Sequence, residues 1–249
     1  MNSYPYSHAI LFVAGFISGT LNVVAGGGSF LTLPVLIFLG LPASVANGTN
    51  RIGVLTQNVG AVWAFHRLRI LDWRSLLWGA LPAVIGAGAG TWVALWTSDQ
   101  MFKRVLAFLM VAVTLWTLWD PFGGKRAPAS SPTGFWILCI SFFLVGVYSG
   151  FVQAGVGFFI LAATSFAGLD LVKGNAIKVL VVLATMVISL AIFASHGKVD
   201  WSMGLVLGLG NFLGGLLGVR LTILKGHNWI RKVVTVTIIV FALKLWFSD

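Results

Sequence analysis

The sequence contains no glutamate. Its acidic residues are six aspartates, Asp72, Asp99, Asp120, Asp170, Asp200 and Asp249, and charged residues of both signs make up only 9% of the 249 positions. A soluble domain carries about a quarter charged residues. That shortfall excludes an ordinary cytosolic enzyme, a secreted domain, a disordered chain and a coiled coil. Cysteine is nearly absent too. Cys139 stands alone inside an apolar run, which rules out a disulfide framework or a cysteine metal site and leaves a small core residue. There is no carboxylate pair for glycoside chemistry, no Walker motif and no zinc ligand set, and Gly15-Phe-Ile-Ser18-Gly19 lacks the Gly-x-Ser-x-Gly spacing of hydrolases. The expectation is a protein that is not an enzyme and needs no cofactor. Proton pumps commonly use intramembrane carboxylates. Here every aspartate falls in a loop, at a segment end or at the terminus, so a carboxylate proton relay is not expected.

What is abundant points one way. Hydrophobic residues make up 58% of the chain, with 30 glycines, and the mean hydropathy is +0.97. A core of this size cannot hide that much apolar surface, and glycine is commoner in membrane helices than in soluble ones. The reading is an all-α polytopic membrane protein. The net charge is +10, but the 16 Lys and Arg are scattered between apolar runs rather than clustered on one face. That is the pattern of loop charges, not of a nucleic-acid binder.

A spanning helix needs about 20 apolar residues. Candidate spans lie near residues 8–24, 50–66, 75–97, 102–119, 134–153, 175–195, 202–224 and 230–247. Two shorter runs, 29–41 and 157–169, give only roughly 20 Å of helix each and read as re-entrant segments or short helices. The N-terminal run lacks the Lys or Arg and the clear cleavage site of a signal peptide. Residues 120–133, rich in Pro, Gly and Ser, form a central polar linker. It divides the chain into a first transmembrane repeat (1–119) and a second (134–249). A shift of 128 residues superposes Asn47 on Asn175, Phe65 on Phe193, Asp72-Trp73 on Asp200-Trp201, and Gly86 and Gly90 on Gly214 and Gly218. With a small gap, Ala25-Gly26-x-Gly28 meets Ala154-Gly155-x-Gly157. Each half therefore has about five segments. Arg67, Arg69 and Arg74 crowd one loop while Lys225, Arg231 and Lys232 enrich the opposite one in the second half. This swap favours inverted repeats with the linker, Lys125 and Arg126 included, in the cytoplasm. If the short segments re-enter, each half crosses four times and the repeats are parallel.

Two constellations are candidates for chemistry. The first is Asn22-Val-Val-Ala-Gly26-Gly27-Gly28-Ser29 with Pro34, thinly echoed by Gln153-Ala-Gly155-Val-Gly157. Consecutive glycines break a helix, and bare backbone survives in a membrane only where protein or a wet cavity satisfies it. A helix starting after Gly28 would aim its positive end into that cavity, favouring an anion. The bland alternative is tight packing through small residues. The second is Asn47-Gly48-Thr49-Asn50-Arg51, with Gln57 and Asn58 two turns on, matched by Asn175-Ala-Ile-Lys178. Arg offers a fork for an oxyanion and Lys a point charge; the alternative is snorkelling from a helix end. Gly86-x-x-x-Gly90 and Gly214-x-x-x-Gly218 read as packing motifs. The Trp residues near segment ends read as interface anchors, and His66 and His196 as interface histidines.

The run Ala25-Gly26-Gly27-Gly28-Ser29-Phe30-Leu31-Thr32-Leu33-Pro34 resembles the glycine-rich N-terminal signature of the TauE/SafE sulfite exporter family. Ala46-Asn47-Gly48-Thr49-Asn50-Arg51, Gly174-Asn175-Ala176-Ile177-Lys178 and Gly197-Lys198-Val199-Asp200-Trp201 are similar to its repeated elements, in order, across residues 8–246. The resemblance implies a small bacterial inner-membrane permease for sulfur-containing anions such as sulfite, sulfoacetate or other organosulfonates. The expected binding set is Asn22, Gly26, Gly27, Gly28, Ser29, Asn47, Thr49, Asn50, Arg51, Gln57, Gln153, Gly155 and Lys178, with no metal. The expected partners are a small anionic substrate and membrane lipid, without nucleic acid; a homodimer is the assembly to test. Export of an anion from an inside-negative cell runs downhill by about 2.3 kcal/mol per charge per 100 mV, so outward flux needs no coupling carboxylate. An uptake permease for another solute and a non-transporting assembly subunit are the rival readings.

Overall fold

A computed structural model describes the backbone of residues 6–24, 26–71, 73–118, 132–166 and 171–246, and the side chains of 6–24, 26–71, 79–112, 139–164 and 172–224. Most of the central linker, with Lys125 and Arg126, lies outside the described residues, as do Ala25, Asp72, Asp120, Asp170, Asp249 and Trp119. The side chains of Trp73, Arg74, Lys225, Trp229, Arg231 and Lys232 also lie outside them.

The described residues are helical, without strands: α1 (Ser7–Val24), α2 (Ser29–Phe38), α3 (Ala43–Arg67), α4 (Trp73–Trp96), α5 (Asp99–Leu118), α6 (Pro132–Phe151), α7 (Val156–Phe166), α8 (Leu171–Ser195) and α9 (Trp201–Trp246). Four of them contain stretches long and apolar enough to cross a membrane: Ser7–Val24, Gly79–Trp96, Val172–Ser195 and Trp201–Leu224. The exterior is apolar, with Leu81, Ile85, Val187, Leu205 and Leu209 exposed, while Asn47, Asn50, Arg51, Gln57, Gln153 and Lys178 are buried. This inversion of the soluble pattern is what a bilayer solvent selects, because lipid satisfies no polar group.

The short runs at 29–41 and 157–169 become the short helices α2 and α7, of 10 and 11 residues. One expectation changes. The pattern marks two segments at 202–224 and 230–247, but α9 continues through both. In the first half, Ser98 divides α4 from α5 and its hydroxyl accepts the N–H of Met101 at 3.3 Å, a capping bond. The residue 128 positions on is Gly226, which has no side chain to cap a new helix.

Glycines set the packing between the halves. A Cβ on Gly210 or Gly214 would lie 2.2 or 2.0 Å from the carbonyl oxygen of Phe12 or Phe16, so α1 and α9 touch backbone to backbone and run parallel. A Cβ on Gly86 or Gly90 would likewise meet the carbonyl oxygen of Phe143 or Val147, bringing α4 against α6 in the same way. Each half thus lends its first helix to the other half's later one. The packing reading of both Gly-x-x-x-Gly motifs agrees with this geometry. Gly214→Ala is expected to lower the melting temperature in detergent, by about 1–3 kcal/mol of overpacking. Gly88→Ala, whose Cβ would meet nothing within 4 Å, should be neutral or slightly stabilising, since alanine is the better helix former. Equal melts for the two variants would contradict the α1–α9 contact.

The long helices α3 and α8 cross at the centre and run antiparallel. Gly48, near the start of α3, abuts Phe193 near the end of α8. Val54 shares a core cluster with Val181 and Val182, and Phe65 with Ala176 and Val179. α2 folds back along α1: Gly28 abuts the carbonyl of Ser18, and Leu36 shares a cluster with Leu11. The α1–α2 hairpin therefore brings its glycine turn into the interior.

Candidate functional site

The glycine run breaks the chain between α1 and α2. Gly26 takes φ +91°, a left-handed conformation that costs only glycine nothing. α2 then restarts at Ser29, whose N–H donates to Asn22 Oδ1 at 3.3 Å, so Asn22 helps cap the helix that follows its own. In the second half α6 ends at Phe151, Gln153 and Gly155 take φ +55° and +77°, and α7 starts at Val156. The two breaks meet. A Cβ on Gly26 would lie 2.4 Å from Gly157 Cα, and one on Gly157 the same distance from Gly26 Cα. Only two glycines allow the backbones to cross that closely.

Both cations sit at this crossing, but not as snorkelling side chains. Pro42 precedes the start of α3 at Ala43, so the polar run from Asn47 to Asn50 lies inside the helix and Arg51 is two turns deep and fully buried. Its fork grips the end of α6: Nη1 donates to the carbonyl of Ser149 at 3.1 Å and Nη2 to that of Gly150. The guanidinium stacks over Phe193, 4.7 Å from the ring centroid. Lys178, two turns into α8, reaches the other way. Its Nζ donates to the carbonyls of Asn22 (3.0 Å) and Val23 (2.6 Å) and to Asn175 Oδ1. These are last-turn carbonyls, which have no partner within their own helix. Each cation therefore caps the broken helix of the opposite half, where the dipole's negative end favours positive charge.

Beside the caps, each half also forms a polar pair of its own. Asn22 Nδ2 donates to Gln57 Oε1 at 3.1 Å, and the Ser149 and Thr185 hydroxyls stand 3.2 Å apart. Asn22 Nδ2 also donates to Ser29 Oγ at 3.3 Å, and Asn47 Nδ2 to the carbonyl of Phe151 at 2.8 Å. The arrangement thus gathers Asn22, Gly26, Ser29, Asn47, Arg51, Gln57, Gln153, Gly155 and Lys178 around the two breaks, with Gly27 and Gly28 in the turn. Thr49 faces elsewhere, accepting the N–H of Asp200 at 2.9 Å at the entry to α9. Sequence reasoning passed over the hydroxyl track beside Arg51. There Thr91 donates to Ser189 Oγ at 2.9 Å and lies against the Gly150 carbonyl. Its signal was there, as hydroxyl residues at helical spacing inside apolar runs.

Several buried atoms at this centre have no hydrogen-bond partner among the described residues: both amide atoms of Asn50 and of Gln153, Asn47 Oδ1 and Arg51 Nε, with Ser18 Oγ, Thr32 Oγ1 and Asn211 Oδ1 on the first-half side. An unsatisfied buried polar group costs about 1–3 kcal/mol. Gln153 carries two such atoms, is 2% exposed, and holds a left-handed backbone that a glycine would adopt freely. Strain and unsatisfied polarity on one residue make Gln153 a candidate for binding.

Paired helix breaks that touch at the centre of a bundle, ringed by buried cations and free amides and enclosed in an apolar exterior, define a multi-pass membrane transporter. The comparisons with known proteins agree and narrow the class. The sequence profile described as Sulfite exporter TauE/SafE matches residues 11–245. The chain belongs to that family. It is 31% identical over 238 residues to a probable membrane transporter protein, ORF9, of Sinorhizobium sp, covering 95% of this chain and 91% of the relative. A probable membrane transporter protein of Haemophilus influenzae is 30% identical, covering 97% of this chain and 95% of its own. The probable membrane transporter protein YfcA of Escherichia coli K12 is 27% identical, with 98% and 91% covered.

Proposed function

We propose that this chain is a bacterial inner-membrane permease for a small sulfur-containing anion, sulfite or an organosulfonate, and that it moves the anion outward. The observation that carries the reading is the charge at the crossing. Arg51 and Lys178 are buried, and among the described residues the partners that hold them are carbonyl and amide oxygens, a thioether and a ring rather than carboxylates. Their positive charge is left to be met by something that enters. A unit anion roughly 8 Å from such a cation gains on the order of 2 kcal/mol at an effective dielectric near 20. In this reading the cations supply the field and hold the helix ends, while the free amides of Asn50 and Gln153 supply the hydrogen bonds. The antiparallel contact of α3 with α8 supports inverted repeats, and alternating access then rocks one half against the other around the glycine crossing.

Thermal stabilisation tests the site, because a ligand at 100 times its dissociation constant adds about 2.7 kcal/mol to the native state. Sulfite, sulfoacetate or another sulfonate is expected to raise the melting temperature of the purified protein, with acetate and phosphate well behind. Gln153→Gly keeps the left-handed turn and removes the amide. It is expected to leave the melting temperature within a few degrees of wild type and to abolish the anion-induced rise. A full anion response in that variant would take Gln153 out of the site. Flux of labelled anion in right-side-out and inverted vesicles then decides direction.

A further inference from the structure

The free polar atoms are distributed unequally between the halves. Around α1 and α2, Ser18 Oγ, Thr32 Oγ1 and Asn211 Oδ1 are buried and have no hydrogen-bond partner among the described residues. The three lie on α1, α2 and α9, which pack on one another here, Leu11, Leu36 and Leu207 sharing a core cluster. Gly28 at the head of α2 abuts Ser18, so that a Cβ there would lie 2.8 Å from Ser18 Oγ, and Thr32 is one turn along the same face of α2. The Asn211 amide lies between α3 and α1, its Nδ2 2.7 Å from where a Gly53 Cβ would be and 3.3 Å from where a Gly15 Cβ would be, Gly15 being three residues from Ser18. Its Nδ2 donates to the Leu207 carbonyl at 3.0 Å, leaving Oδ1 free as an acceptor. Ala83 takes the matching place in the other half, facing Gly146 as Asn211 faces Gly19.

This set has a definite chemistry. Asn211 Oδ1 accepts only, while the two hydroxyls can each donate and accept. A hydroxyl, which donates once and accepts as well, can satisfy all three. The uncompensated charge of Arg51 and Lys178 works against a cation among these oxygens. The cluster is also adjacent to the crossing. Ser18 lies one turn from Asn22, whose carbonyl Lys178 caps, and Thr32 one turn from Ser29, which bonds Asn22.

We propose that Ser18, Thr32 and Asn211 form a subsite for a hydroxyl group on the transported anion, making the preferred substrate a hydroxylated organic anion rather than a bare inorganic oxyanion. The inference rests on the anion reading above and adds an orientation to it, with the acidic head at the glycine crossing and the hydroxyl toward α1, α2 and α9. A buried site built to bond a hydroxyl rejects the analogue that lacks it, by as much as 10⁴–10⁵ where the fit is complete.

Ethanesulfonate and 2-hydroxyethanesulfonate share head, charge and chain and differ by the one hydroxyl. Titrating each against the melting temperature of the detergent-purified protein should give at least a tenfold lower half-saturating concentration for the hydroxylated compound. Thr32→Val is nearly isosteric, and Asn211→Ala installs the residue found at the matching place in the other half. Each should shrink that preference to threefold or less while leaving the response to ethanesulfonate in place. Equal affinity of the two sulfonates for wild type overturns the subsite and leaves the anion site standing. A preference that survives undiminished in both variants also overturns it. Absence of any response to the whole anion panel removes the anion site, and the subsite with it.

Discussion

Gly26→Ala is expected to prevent stable assembly. The added Cβ would lie 2.4 Å from Gly157 Cα, an approach that no side-chain rotation relieves because both sides are backbone. Overpacking costs about 1–3 kcal/mol. The φ of +91° adds a penalty of about 1–2 kcal/mol for any residue with a Cβ. Together these reach about 2–5 kcal/mol, a large fraction of a native stability of about 5–15 kcal/mol. Gly157→Ala makes the same clash without the conformational penalty, so it should be the milder of the two. Because both act on one contact, the double variant should fall short of the sum. The measurement is the monodisperse fraction on size exclusion and the melting temperature of whatever folds. Wild-type behaviour in either single variant would mean that the breaks do not touch.

Lys178→Met should be nearly as damaging, through the groups it leaves behind. Methionine fills the space of the lysine stem but donates nothing. The carbonyls of Asn22 and Val23 and the amide oxygen of Asn175 lose their donor in the interior. Each unpaired acceptor costs about 1–3 kcal/mol, offset in part because a charge is no longer buried, so a net loss of about 2–4 kcal/mol is expected. Arg51→Lys separates the two roles of a buried cation. One ammonium cannot reproduce a fork held by two successive carbonyls and a ring face, so the melting temperature should fall while the anion-induced rise persists. A variant that keeps its stability but loses the anion response would instead place the guanidinium on the ligand.

The sequence announced the breaks and concealed what holds them. Three glycines before Ser29, and the thinner Gly155-x-Gly157, favour a break over a continuous helix, so both interruptions and the short helices after them were readable. The start of α3 was not. Asn47-Gly48-Thr49-Asn50 has the composition of a loop, and only burial among other helices makes a helix of it, which moved Arg51 from an end to two turns inside. The partners of Arg51 and Lys178 were beyond reach for a different reason. They are main-chain carbonyls of Ser149, Gly150, Asn22 and Val23, and every residue has a carbonyl. Thr49 belonged to a polar run whose neighbours Asn47 and Arg51 reach the end of α6. Its turn toward Asp200 depends on where α9 begins, which local sequence does not specify.

The backbone contact of α1 with α9 also bears on how the chain is made. Phe12 meets Gly210 and Phe16 meets Gly214, partners nearly 200 residues apart. At about 5–20 residues per second, α1 leaves the ribosome some 10–40 s before the surface that covers it exists. For most of that interval the carbonyls of Asn22 and Val23 also await Lys178. Early intermediates therefore carry unpaired backbone carbonyls at the end of α1, and water or an insertion factor must satisfy them until α8 arrives.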